Sequence, residues 1–172
     1  MTSATPAGYT TVAPWIVTPD TEQLLTFVAA VFDGVELGCV RLADGTVGHA
    51  EIRVGDTVLL AFDQRPSWPA MPALLRVFVA DADATVDRAV AAGATLVTRP
   101  VTQAFGQRGG RVRDAFGNIW WITAVIEQVA PEEGMRRLGE PRYAEAMRYA
   151  QESLDQDLSG GAGTAVSPPL AG

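Results

Sequence analysis

Gly117-Asn118-Ile-Trp-Trp-Ile-Thr-Ala124 reads as a two-residue turn signal followed by an apolar strand, and Gly55-Asp56-Thr-Val-Leu-Leu-Ala-Phe62 reads the same way sixty-two residues earlier. Glycine beside Asn or Asp favours a tight turn, and the apolar run behind it favours a strand. At the same offset, His49-Ala-Glu51-Ile-Arg53 lies opposite Arg111-Val-Arg113-Asp-Ala115. Further back, Thr21 to Phe32 and Ala84 to Ala92 are both helical in composition, and each follows an apolar strand closed by Asp20 or Asp83. Both aspartates are placed to cap a helix, the carboxylate accepting from free N–H groups of the first turn. A pattern that returns at a fixed period marks one supersecondary unit used twice.

The repeat predicts strand, helix, strand, strand, strand in each module, an α+β chain of two tandem βαβββ modules. Module one covers 11–63, with strands near 11–17, 35–42, 46–54 and 57–63 and a helix at 21–33. Module two covers 73–126, with strands near 74–80, 94–98, 109–114 and 118–126 and a helix at 83–92. The linker 64–72 carries Pro66, Pro69 and Pro72 and is expected to be extended. After residue 130 the pattern changes to a helical extension over 131–158. Pro131-Glu132-Glu133 suits a helix start, and Tyr143, Met147, Gln151 and Leu154 form an apolar-leaning stripe over 141–157. Residues 159–172, rich in Gly, Ala, Ser and Pro, are expected to be disordered.

Composition narrows the function classes. The 172 residues carry a net charge of −7, and all 13 basic residues are arginine. Nucleic acid is an unsuitable partner for such a balance, because phosphate binding draws on clustered positive charge. The missing lysine excludes a Walker-type phosphate loop, a Schiff base and a lysine general base within this sequence. Cys39 is the single cysteine, which excludes an intrachain disulfide and a cysteine-cluster metal site. The opening MTSATPAGYT lacks the charged and apolar regions of a signal peptide, and no apolar window reaches membrane-spanning length. The expectation is a cytoplasmic protein with no membrane partner.

Arg113-Asp-Ala-Phe-Gly-Asn-Ile-Trp-Trp-Ile122 resembles the final turn and strand of vicinal-oxygen-chelate modules, the glyoxalase/bleomycin-resistance/dioxygenase superfamily. Gly48-His-Ala-Glu-Ile-Arg-Val-Gly-Asp56 and Val79-Ala-Asp-Ala-Asp-Ala84, followed by Ala91-Ala-Gly-Ala94, resemble its PhnB-like branch. The resemblance spans roughly 10–135. It implies two modules curling around a shared cavity, commonly in a homodimer. In metal-using members, four His, Gln or Glu ligands come from the first and last strands of both modules. Those positions fall here at Ala13, Leu59, Leu74 and Trp121. A slip of one residue reaches Pro14, Val58 or Leu60, Leu75, and Trp120 or Ile122, which are equally unsuited to a metal. The expectation is therefore no metal and no cofactor.

Strand alternation assigns faces. With position 121 facing the cavity, Ile119, Trp121 and Thr123 line it, while Trp120 and Ile122 pack under the helix. Ala13, Trp15 and Val17 face in from the first strand; Leu74, Arg76 and Phe78 lie opposite, with Leu59 as floor. Ala50, Ile52 and Val54 form one side of the third strand, so His49, Glu51 and Arg53 share the other. Trp15 and Trp121 can stack a planar ligand or simply fill a core, and Arg76 and Arg113 can pair with an anionic group. His49 and Glu51 can form an acid–base pair, and Glu51 can alternatively pair with Arg113. Phe105-Gly-Gln-Arg-Gly-Gly110 reads as a flexible hairpin at the pocket mouth, from which Gln103 and Arg108 can reach a ligand.

Three functions remain open at this stage. The first is a small-molecule-binding protein that sequesters a planar or aromatic compound, as antibiotic-resistance members of the resembled family do. The second is a metal-independent isomerase or lyase using Glu51 or His49. The third is a structural or regulatory dimer with a collapsed cavity.

Overall fold

The computed structural model describes residues 5–6 and 8–160. The chain runs β1(Trp15–Thr18), α1(Thr21–Phe32), β2(Val35–Arg41), β3(Val47–Val54), β4(Thr57–Asp63), β5(Leu74–Phe78), α2(Ala82–Ala91), β6(Thr95–Thr102), β7(Gln107–Arg113), β8(Ile119–Val125), α3(Pro131–Arg137) and α4(Pro141–Leu158). Two compact units emerge, one comprising the described residues up to Ala73 with Phe116–Asn118, the other Leu74–Ala115 with the described residues from Ile119 onward. Each has the expected βαβββ order, and the C-terminal helix is present. The tail expected to be disordered lies, apart from Ser159 and Gly160, outside the described residues.

The first unit is a four-stranded sheet in the order β1-β4-β3-β2, with β1 parallel to β4 and the other pairs antiparallel. Asp20 caps α1 as expected, its side chain accepting from the Gln23 N–H. Leu24, Val28 and Val31 of α1 are buried with Ile16, Ala50, Ile52 and Ala61. Asp63 secures the layer: one carboxylate oxygen accepts from the Thr21 N–H at 2.9 Å and the other from the Val47 N–H at 2.7 Å. One side chain thus fixes the end of β4 against the first turn of α1 and the start of β3.

The second unit repeats the topology as β5-β8-β7-β6, with β5 parallel to β8. Trp120 and Ile122 are fully buried on the side that carries α2, and the indole N–H of Trp120 donates to Asp114 at 2.9 Å. The cap of α2 is Asp81, not Asp83; Asp81 accepts from the Ala84 N–H. β5 ends at Phe78, earlier than expected, so the helix starts earlier and leaves Asp83 in its first turn.

The Phe105–Gly110 segment is also more ordered than a flexible loop. β6 and β7 extend toward each other, and the Gln103 N–H donates to the Gln107 carbonyl at 2.7 Å to close the hairpin. Its glycines serve close packing: a Cβ at Gly110 would stand 2.6 Å from the Thr98 carbonyl, and one at Gly109 2.6 Å from that of Ile122.

Register corrects one site residue. Leu59 pairs with Ile52 on the α1 face, whereas Leu60 pairs with Glu51 and with Trp15. Aligning the repeats on their Gly–Asx turns hid this slip. The β3–β4 turn leaves only Gly55 and Asp56 between paired residues Val54 and Thr57, while residues 114–118 separate the pair Arg113 and Ile119. Turns of different length shift the face by one residue, so the counterpart of Trp121 is Leu60.

Candidate functional site

In the first unit, Trp15, Val17, Leu60 and Phe62 share the sheet face away from α1 with His49, Glu51 and Arg53. Trp15 is 48% exposed. Its ring meets His49 edge-on at 5.5 Å and Phe62 at 5.3 Å between centroids. Phe62 in turn meets Trp68 at 5.9 Å, with the Arg65 guanidinium over the Trp68 ring. A Trp68 N–H to Arg65 carbonyl bond and a Gln64 side-chain bond to the Trp68 carbonyl fold the proline-rich linker into a turn. Trp15, Phe62 and Trp68 thereby border an open groove of about 830 Å³, floored by Val47 and Gly48 and rimmed by Asp44, Asp63 and Arg65.

His49 and Glu51 do meet, with Nε2 to Oε1 at 2.8 Å. Glu51 is held below the ordinary carboxylate range, first by a hydrogen bond from Tyr9 and then by one from His49. The Tyr9 hydroxyl is pushed up by the same contact. Arg113, the other partner expected for Glu51, pairs with Asp157 of α4.

In the second unit, Trp121 stands between its cross-strand neighbours Arg76 on β5 and Arg111 on β7. Their guanidinium carbons lie 4.2 Å and 4.5 Å from its ring centroid. Arg76 also stacks on Phe78 at 4.9 Å and donates to Thr123 and Gln107. α4 packs beside this face: Thr98 and Ser153 hydroxyls lie 2.7 Å apart, and the Tyr149 hydroxyl accepts from the Arg99 N–H at 3.0 Å. Gln103, Trp121 and Arg111 line a pocket of about 210 Å³ that α4 closes with Tyr143, Met147 and Gln151. Arg108 is elsewhere. It lies on the opposite, α2-bearing face, in a two-pronged pair with Asp83 at 2.6 and 2.7 Å, and does not line this pocket.

The sequence reading missed Tyr9, Phe62, Trp68 and Arg111 as site residues. Phe62 follows from the corrected register. Arg111 was legible as the repeat partner of the His49 strand, but no sequence signal shows that α4 covers it. Trp68 sat in a linker read as extended.

The donor set does not suit a divalent metal. The β1–β4 and β5–β8 pairs on the open sheet faces, Trp15–Leu60 and Val17–Phe62 in one unit and Leu74–Ile119, Arg76–Trp121 and Phe78–Thr123 in the other, contain no His, Cys, Asp or Glu. Among the described residues no three His, Cys, Asp or Glu side chains come together to hold one.

Residues 8–122 match the family model described as Glyoxalase/Bleomycin resistance protein/Dioxygenase superfamily. The chain belongs to this superfamily. An uncharacterised protein of Mycobacterium bovis is 33% identical over 132 residues, covering 70% of this chain and 87% of its own. TioX from Micromonospora sp. ML1 shares the fold at TM-score 0.57 and 24% identity, over 67% of this chain and 98% of its own. A PhnB protein from Bacillus cereus does so at TM-score 0.51 and 16% identity, over 67% and 99%. As a superfamily member, the chain carries something beyond the family match: α3 and α4 lie outside residues 8–122, yet α4 supplies one wall of the second unit's pocket. No helix among the described residues is long and apolar enough to cross a membrane.

Proposed function

We propose that this superfamily member is a metal-free small-molecule-binding protein that holds a planar or aromatic compound in the Trp15 groove. The supporting observation is the row Trp15–Phe62–Trp68, whose outer two rings are 48% and 36% exposed and border a groove of about 830 Å³. Ligand pockets of about 300–1,000 Å³ with aromatic walls and few polar groups suit drug-sized molecules. Exposed indoles offer stacking area at little cost in side-chain freedom. The family description includes resistance proteins. A resistance-type role, in which a toxic compound is held rather than altered, needs no catalytic group. The proposal extends to a cytoplasmic homodimer, for which the apolar residues Val35, Leu37 and Val40 along the edge strand β2 offer contact area.

A second reading is favoured by the 2.8 Å contact between His49 and Glu51 beside Trp15. A carboxylate kept ionised by Tyr9 and His49 can accept a proton from a ligand in the groove, making a metal-independent isomerase or lyase. One experiment separates the two. Planar aromatic compounds are screened by quenching of tryptophan fluorescence, and the best binder is incubated with wild type and with Glu51→Gln. Binding without conversion, unchanged in the variant, supports sequestration. Conversion that falls about a hundredfold or more in Glu51→Gln while binding persists establishes the enzyme. Absence of any quenching ligand refutes the groove proposal.

A further inference from the structure

From the second unit we infer a separate binding site for a small organic carboxylate, formed by Arg111 and Trp121 of the sheet and closed by α4. Arg111 is 7% exposed. A buried cation loses several kcal/mol of hydration and is ordinarily matched by a carboxylate. Among the described residues Arg111 has no such match: only Nη1 is bonded there, to the Ala150 carbonyl at 2.6 Å and the Thr98 hydroxyl at 3.3 Å, both neutral oxygens. Arg76 also makes no ion pair among the described residues, so two uncompensated cations flank Trp121. Burial, and then the like charge of Arg76, make Arg111 less willing to hold its proton than an ordinary guanidinium. A ligand carboxylate relieves both penalties. Arg113, also beside α4, is paired with Asp157.

The pocket's shape defines the rest of the ligand. Its volume of about 210 Å³ lies below the roughly 300–1,000 Å³ of drug-sized sites, which points to a fragment-sized molecule. Phe105, Tyr143 and Met147 supply apolar walls, and Gln151 continues the row Tyr143–Met147–Gln151 at four-residue spacing along one side of α4. An apolar or aromatic body with one carboxylate fits this combination. Arg111 offers its unbonded N–H groups to the acid in a charge-assisted pair, and the body lies between Trp121 and α4. Three members of the apolar-leaning stripe thus border a cavity; the residues α4 buries most fully are Tyr143, Ala146, Tyr149, Ala150 and Ser153.

This site shares no lining residue with the Trp15 groove. Benzoate, its neutral isostere benzamide and inorganic phosphate are titrated into the full chain by calorimetry. Benzoate is expected to bind at least about tenfold more tightly than benzamide, and phosphate not to displace it. Because Arg111 also ties α4 to β7, Arg111→Gln is paired with Met147→Trp, which fills the pocket from a half-exposed helix position and leaves Arg111 intact. Loss of benzoate binding in Met147→Trp at unchanged melting temperature, with full retention in Trp15→Ala, supports the site. Equal affinity for benzoate and benzamide overturns it, as does displacement by phosphate or undiminished binding in Met147→Trp. Loss of benzoate binding in Trp15→Ala with retention in Met147→Trp would place benzoate in the groove of the first unit and overturn the second site as well.

Discussion

Trp15→Ala is the substitution that loads the groove proposal most heavily. A tryptophan offers up to about 250 Å², and 48% of Trp15 is uncovered. A ligand lying on it therefore hides at most ~120 Å², worth ~3 kcal/mol at ~25 cal/mol per Å². Stacking on one face uses about half of that, so removal should cost ~1.5 kcal/mol, roughly a tenfold rise in Kd. Stability should fall by a comparable amount, because the edge contacts with His49 and Phe62 are each worth ~0.5–1.5 kcal/mol. The assay is a fluorescence titration with a planar aromatic ligand identified by quenching, in wild type and variant, alongside thermal melts. A Kd unchanged within twofold would refute the stacking argument and favour a collapsed, structural first unit.

Asp157→Ala should release the end of α4 by removing its ion pair with Arg113, whose side chain is 30% exposed. A loss of ~1–2 kcal/mol, read as a lower denaturant midpoint, is expected. Gly106→Ala places a Cβ 2.2 Å from the Glu127 carbonyl at a backbone φ of +76°. It should destabilise by ~2–4 kcal/mol in the same assay, and a neutral result would mean the β6–β7 turn relaxes freely. Glu51 has its pKa lowered from 4.5 in the fold. Its stabilising contribution is therefore present above that ordinary value and lost as pH falls through the folded one. Acid titration should release Tyr9 and His49 from Glu51 and alter Trp15 emission below about pH 4.5, a transition absent in Glu51→Gln.

The architecture was legible because period-two strands, aspartate caps and Gly–Asx turns are local signals. Trp120 and Ile122 were correctly assigned to the helix side for the same reason, since alternation within one strand is robust. Relations between strands were harder to read. Leu59 was misassigned because two turns with the same residue signature enclose different numbers of residues, and one residue of slip inverts a face. Arg108 was placed at a pocket mouth because the hairpin seemed glycine-rich enough to be mobile, when those glycines answer to carbonyls 2.6 Å away. Asp81 and Asp83 are both acceptable caps by type, and only the end of β5 decides between them. The Arg111 pocket was out of reach altogether, because it depends on where a helix from beyond the repeat comes to rest.

In the proposed function the groove binds its ligand without a metal. Its most direct test is the dissociation constant of the quenching aromatic ligand, measured after exhaustive dialysis against a chelator and again after adding Zn, Ni, Mn or Fe(II). The same Kd, within twofold, is expected in every condition. Binding that disappears in the chelator and returns with one of the metals would contradict it.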